Sequence, residues 1–326
     1  MIYRGRRLRQ DAFIRSLARE TRLSADTLIW PVFIRAGEGI FEEIPSLPGQ
    51  YHYSVDQLGR AVDAALEAGV TKLLLFGLPA HKDAVGSDAY DENGIVQQGL
   101  RAIREKYGKS IYLITDICMC EYTDHGHCGI LHGDYVDNDE TLTYLDRIAV
   151  SHAGAGADMV APSDMMDGRI GSMRSALDGA GYERLPIMAY SVKYASAFYG
   201  PFRDAAGSAP SFGDRKSYQM DPHNVREALR EAALDEDEGA DILMVKPAMT
   251  YLDVVRAVRE QTTLPLCAYS VSGEYAMIKA AATAGLVDEY KIMCESGLSV
   301  YRAGADMLIT YYAKELAGAI RRGDIG

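Results

Sequence analysis

Cysteine is scarce in this chain: five in 326 residues, an odd number unevenly spread. Such a set makes a poor disulfide framework and leaves a thiol over, which suits a reducing compartment. Long apolar runs are missing too, and none approaches the roughly 18 residues of a membrane span. The opening "MIYRGRRLRQDAF" is basic but lacks the apolar stretch of a secretory leader, so the sequence reads as cytoplasmic. Positive charge is in deficit, with a formal balance of −12, which argues against a nucleic-acid role for the whole chain. The one basic run, Arg4, Arg6, Arg7 and Arg9, reads as a solvated terminal arm. There is no glycine-rich phosphate loop after the first apolar run, no repeat of fixed period and no linker.

What the chain does have is a rhythm of short apolar runs alternating with amphipathic segments. The runs fall at 28–34, 71–78, 111–117, 158–163, 186–191, 241–246, 264–271 and 306–312. Each is nearly continuously apolar and bounded by glycine, proline or polar residues, the pattern of a strand buried on both faces. Between them, Leu58, Val62, Ala65 and Leu66 form one stripe, with Ser54 as the expected N-cap. A second helix is expected over 221–238, capped by Asp221 with Pro222 at its first position. Four joints, "EAGVTK", "GAGADM", "DEGADI" and "RAGADM", place a glycine between a helix and the next strand. Eight strands alternating with helices predict an α/β (β/α)8 TIM barrel over 26–326, preceded by an arm of residues 1–25. An open doubly wound sheet is the competing architecture. The connection 192–220 is long, aromatic and without clear period, which predicts an active-site lid after strand five.

In a barrel, the C-terminal ends of the strands build the active site. Those ends carry Asp116, Cys118 and Cys120 after the third run, Ser163 after the fourth, Lys193 after the fifth and Lys246 on the sixth. Ser270 and Ser272 follow the seventh run, and Tyr311 ends the eighth. If the chain stays extended, Asp116, Cys118 and Cys120 point to one side, and the turn "TDHGHCG" can return Cys128 to them. Three thiolates favour zinc with an open fourth position; a closed site completed by His125 or His127 is the alternative, and a disulfide the least suited to a reducing compartment. A lysine closing an apolar strand is desolvated, and a second ammonium nearby disfavours its charge further. At least one of Lys193 and Lys246 should therefore be a neutral nucleophile for a carbonyl, although each alone could instead pair with an acid. Arg203, Arg215 and Lys216 in the lid form a cationic group suited to a carboxylate.

The motifs "GADILMVKPAMTY", "SVKYASAFYGPFR", "GDRKSYQMDP" and "DICMCEYTDHGHCG" together resemble the porphobilinogen synthase (5-aminolaevulinate dehydratase) family, zinc-dependent type. The likeness runs from "RGRRLR" to "YYAKEL". The resemblance implies a lyase that condenses two 5-aminolaevulinate molecules to porphobilinogen, early in haem biosynthesis. It implies that Lys246 is the principal Schiff-base lysine, that Lys193 serves the second substrate, and that Cys118, Cys120 and Cys128 hold a catalytic zinc. Arg203, Arg215 and Gln219 match one carboxylate clamp and Ser272 and Tyr311 the other, while Asp116, Ser163, Tyr199, Phe202 and Tyr269 match further pocket positions. It also implies a homo-octamer embraced by the arm, and an allosteric magnesium at Glu231, where a plain surface carboxylate is an equally good reading. His52, Ser217 and His223 depart from the residues usual in the family. The competing functions are a class I Schiff-base aldolase barrel, which leaves three cysteines unexplained, and a zinc-regulated non-catalytic barrel, which should lack a lysine or clamp residue.

Overall fold

The structure is a computed structural model and describes residues 2–325. Eight parallel strands carry it: β1 (Leu28–Arg35), β2 (Lys72–Leu78), β3 (Tyr112–Ile117), β4 (Met159–Pro162), β5 (Met188–Lys193), β6 (Ile242–Lys246), β7 (Leu266–Ser270) and β8 (Met307–Thr310). Hydrogen bonding runs β4-β3-β2-β1-β8-β7-β6-β5. The ring closes between β4 and β5 at one parallel bridge, Val160 to Ile187. This is the (β/α)8 barrel, and closure rules out the open sheet. Each strand coincides with one apolar run because both faces are covered: β4 and β5 are buried throughout. Only the fifth run is displaced, since β5 continues to Lys193.

The helices are α1 (Ala12–Leu17), α2 (Leu58–Ala68), α3 (Ile95–Tyr107), α4 (Asn138–Ala155), α5 (Arg169–Gly179), α6 (Gly200–Ala206), α7 (Val225–Asp237), α8 (Leu252–Arg259), α9 (Ser272–Thr283), α10 (Glu289–Ala303) and α11 (Ala313–Arg322). The four joint glycines, 69, 156, 239 and 304, all have positive φ, from 81° to 124°, which only glycine adopts cheaply.

Two expected caps are elsewhere. Ser54 precedes a 3-10 turn rather than α2, and its hydroxyl donates to Asp56 Oδ1 at 2.6 Å. Asp221 folds onto its own neighbours instead of starting a helix: its Oδ1 accepts from the His223 N–H at 3.0 Å, and α7 begins only at Val225, behind Asn224. The lid is also more ordered than its sequence suggests. It holds a 3-10 turn, Ala197–Tyr199, followed by α6, which at seven residues is too short to register as a period.

The arm carries a 3-10 turn, Gly5–Arg9, and α1, neither with a buried residue; Phe13 is 88% exposed and Leu17 78%. Beneath the barrel mouth, Arg169 donates to both carboxylate oxygens of buried Asp235 at 2.9 Å and to the Tyr190 carbonyl at 3.3 Å, tying α5, α7 and β5 together. No helix among the described residues is long and apolar enough to cross a membrane.

Candidate active site

Lys193 and Lys246 are direct partners in the β5–β6 register. Side chains paired this way share a face, one strand spacing of about 4.8 Å apart. Just before them the register slips: Leu243 pairs with Ala189, yet Val245 pairs with Val192, so β5 carries one extra residue, a bulge. Its effect is to turn both Tyr190 and Lys193, three apart, into the barrel. The Tyr190 ring then lies 5.0 Å from Lys246 Nζ and 5.7 Å from Lys193 Nζ. Tyr269, Tyr199 and Phe202 complete an aromatic enclosure around Lys246, with ring centres 4.4, 5.2 and 5.3 Å from Nζ.

Burial, and then the neighbouring Lys193 charge, push the Lys246 pKa down to about 7, against the pull of Asp116, Glu121 and Cys120. Burial also disfavours the Lys193 ammonium, but the three cysteines and Asp116 outweigh it and hold its pKa above the ordinary lysine value. The pair is thus split into one amine that gives up its proton near neutrality and one that keeps it. Lys193 donates to the Ser163 carbonyl, and the Ser163 hydroxyl donates to Asp116 Oδ2 at 3.0 Å. Burial raises the Asp116 pKa to about 7, with Glu121 adding to the rise and the lysines opposing it. A poised amine beside a poised carboxyl can add to a ketone and shuttle the protons that imine formation and hydrolysis need.

Cys118, Cys120 and Cys128 are buried and unpaired as disulfides, and their sulfurs lie within 4.8 Å of one another. Strand alternation does not bring them together, because β3 ends at Ile117. The chain turns instead, with the Tyr122 and Thr123 N–H groups both donating to the Met119 carbonyl at 2.9 Å, and the first two sulfurs meet at 3.4 Å. Contacts from the Cys118 and Cys120 thiols pull the Cys128 pKa well below the ordinary thiol value, while burial raises that of Cys118. Neither histidine joins the group. His125 Nδ1 accepts from the His127 N–H, and the two ring nitrogens of His127 meet the Tyr218 hydroxyl and the Phe212 carbonyl, each at 3.1 Å. Three soft donors, grouped with no fourth His, Cys, Asp or Glu among the described residues, fit a thiophilic metal with an open position.

The lid supplies the remaining polar groups. Arg203 Nε, Arg215 Nε and both amide atoms of Gln219 are buried without a hydrogen-bond partner in the chain. Orphaned donors are costly unless a ligand satisfies them, and a carboxylate would accept from both arginines and the amide. Ser272 Oγ accepts from the Phe202 N–H at 2.9 Å and donates to the Phe198 carbonyl at 3.2 Å. The next residue has to be glycine: a Cβ on Gly273 would stand 2.5 Å from that carbonyl oxygen. Tyr311, just beyond β8, lies with its hydroxyl 3.5 Å from that of Tyr269.

Glu231 stands apart. It is half-buried on α7, lining a cleft of 290 Å³ with Tyr135, Asp167, Glu227 and the lid's Gln219, and burial followed by Asp235 raises its pKa. Two residues of the site escape sequence reasoning. Tyr190 lies inside an apolar run, yet its buried hydroxyl faces Asp116, and burial and that carboxylate together raise the tyrosine's pKa. Glu121, which is not among the expected site residues, lies with Oε2 3.2 Å from Cys120 Sγ, and burial raises its pKa to about 8.

Comparison with known proteins agrees with this geometry. The family described as "Delta-aminolevulinic acid dehydratase" matches residues 2–319. The dehydratase of Halalkalibacterium halodurans is 55% identical over 314 residues, covering 96% of this chain and 95% of that one. That of Methanothermus sociabilis is 53% identical over 317 residues, covering 97% and 98%. Among solved structures, the Toxoplasma gondii delta-aminolevulinic acid dehydratase (porphobilinogen synthase), in complex with its reaction product porphobilinogen, is 43% identical. It superposes with a TM-score of 0.95 over 98% of this chain and 91% of that chain. Barrel, cysteine loop and lid all fall inside these matches, and the chain belongs to the delta-aminolevulinic acid dehydratase family.

Proposed function

We propose that the protein condenses two molecules of 5-aminolaevulinate into porphobilinogen with loss of two waters. The observation that carries this reading is the in-register pair Lys246 and Lys193, one amine near its pKa and the other charged, beside three buried thiols. Lys246 adds as a free amine to the ketone of the first substrate, and Asp116, held by Ser163, moves the protons of that addition and of the dehydration that follows. Ser272 and Tyr311 bind the carboxylate of this substrate. Arg203, Arg215 and Gln219 bind that of the second, which Lys193 meets from the neighbouring strand. Tyr199, Phe202 and Tyr269 keep water from the imine. Holding both substrates makes an otherwise bimolecular union intramolecular, which is worth several powers of ten in rate.

Cys118, Cys120 and Cys128 are the residues that would hold zinc, which when bound supplies Lewis-acid polarisation of the second substrate's ketone or a seat for its amine. The exposed Phe13 and Leu17 support an arm of residues 1–25 that packs on a neighbouring copy in a homo-octamer, with 26–326 as the catalytic barrel. The half-buried carboxylate of Glu231 would take an allosteric magnesium. Five unpaired thiols favour a cytoplasmic location.

Pyrrole formation from 5-aminolaevulinate tests the reading, measured before chelation, after it, and after zinc is restored. Activity lost and regained with zinc is the expected result. Activity that survives complete removal of metal would take the cysteines out of the reaction, and no pyrrole under any metal condition would end the proposal.

A further inference from the structure

α6 carries two site residues, Phe202 against Lys246 and Arg203 beside Arg215, yet it is a helix of only seven residues. Isolated helices shorter than about 12 residues are marginal in water, so what seats α6 must come from outside it. At its first turn the anchors are serines: Ser272 accepts from the Phe202 N–H, and the Ser46 hydroxyl donates to the Pro201 carbonyl at 3.0 Å. Its last turn is held differently. The Ala205 carbonyl accepts from His52 Nε2 at 2.7 Å, and the Gly207 carbonyl accepts from Lys82 Nζ at 2.6 Å. The Ser208 carbonyl accepts from Arg215. C-terminal helix carbonyls have no partners within the helix and carry the negative end of its dipole, so basic donors are the side chains suited to hold them.

Arg215 belongs to the substrate clamp, but His52 and Lys82 do not. They come from the connections that follow β1 and β2, outside the lid segment. The chain holds 46 acidic residues, yet neither His52 nor Lys82 is in an ion pair among the described residues. Both use their donors on the lid backbone instead. His52 is itself held in place: its backbone pairs with Phe33 of β1, and its ring stands edge-on to the Phe33 ring, with centres 6.0 Å apart.

We propose that His52 and Lys82 are positioning residues, a two-point latch that seats the C-terminal end of α6 and thereby holds Arg203 beside Arg215 and the cysteine group. Neither touches the reacting atoms. Lys246, on β6, and Phe202, whose N–H stays on Ser272, keep their places when the latch is broken, whereas Arg203, one residue nearer the freed end, loses its own. The latch therefore governs how readily the second substrate is gripped, not whether the first imine forms. This rests on the reading of Arg203 as a carboxylate ligand.

The test uses the full-length metal-loaded protein with His52→Phe, Lys82→Met and the double substitution, none of which can donate to the lid. His52→Arg and Lys82→Arg are the restoring variants. Three quantities are read: KM and kcat for 5-aminolaevulinate, the rate of tryptic cleavage after Arg215 and Lys216, and the imine trapped at Lys246 by borohydride at saturating substrate. A net hydrogen bond is worth about a half to one power of ten, so the double variant is expected to raise KM by about ten- to a hundredfold. Cleavage should accelerate by a similar factor, with kcat within about twofold and trapping unchanged, and the arginine variants should return both KM and cleavage toward the parent. Unchanged KM and cleavage, a fall in kcat at constant KM, or failure of the arginines to restore would each overturn the latch. A parent that makes no pyrrole would overturn the functional reading alone, because cleavage still reports whether these two side chains hold the lid.

Discussion

The split between the two lysines can be measured directly through Lys193→Met, which removes the neighbouring charge and roughly keeps the volume. With a pKa of about 7, half of Lys246 is a free amine at neutral pH. An unperturbed lysine at pH 7 is free in only about 3 parts in 10,000, so the environment multiplies the nucleophile by about a thousand. Two unit charges about 5 Å apart interact by roughly 3 kcal/mol at an effective dielectric of 20, an upper limit of about two pKa units. Burial is the larger cause and stays in the variant. The Lys246 pKa should therefore rise by about one to two units, not return to 10.5. Imine formation needs the free amine, so its initial rate rises with pH through the pKa and falls about tenfold per unit below it.

The assay is the initial rate of reductive trapping of 5-aminolaevulinate on the Lys246 peptide, from pH 6 to 10, read by mass spectrometry in the metal-loaded protein. The parent profile should bend near pH 7. In Lys193→Met the bend should move to about 8 to 9, with trapping at pH 7 down about five- to fiftyfold and recovered by pH 10. A parent profile still climbing between pH 9 and 10 would refute the poised amine, and an unmoved bend in the variant would refute the role assigned to the Lys193 charge.

Three further outcomes follow from other parts of the molecule. Cys128→Ser removes the thiol that the other two cysteines address, and metal affinity in competition with a chelating dye should drop at least about a hundredfold; metal retained through dialysis would count against the trio. Arg169→Met leaves Asp235 buried without its partner and should cost about 3–5 kcal/mol in urea unfolding, most of it regained when Asp235→Leu is added; a variant as stable as the parent would show the pair to be idle. His152 is buried with neither ring nitrogen partnered, and burial lowers its pKa to about 3. The fold therefore favours the neutral ring, so this contribution is complete above about pH 6.5 and is lost as pH falls toward 3, about 2 kcal/mol of it by pH 5. His152→Leu should remove that part of the acid sensitivity, and an unchanged slope of stability against pH would place the lability elsewhere.

The barrel was legible because parallel strands covered on both faces show continuous apolar runs, and because glycines such as Gly156 mark where helices hand over to strands. Lys246 was legible for the opposite reason, a charge where the run says apolar. What escaped depends on backbone detail that composition does not carry. The cysteines meet through a turn after Ile117, so the extended-chain argument grouped the three sulfurs by a geometry the chain does not adopt, and that geometry gave no reason to look at Glu121. Tyr190 was hidden because strict alternation sends it and Lys193 to opposite faces. The order within the lid was hidden by the brevity of α6, and its anchors, His52 and Lys82, lie more than a hundred residues away in sequence.

The extra residue in β5 makes the strand behave like a shifted reading frame. Up to Ala189 the inward phase falls on one set of positions, and from Val192 onward it falls on the other. Phase, not identity, then decides whether an amine enters the barrel. A library of substitutions at Ser191 leaves Lys193 where it is, whereas one more residue inserted there would turn it outward unless a second irregularity absorbed the change. Changes of length at this point can therefore grant or withdraw a catalytic group in a single step, and a comparison of barrels that allows no gap here would align the wrong side chains from this strand onward.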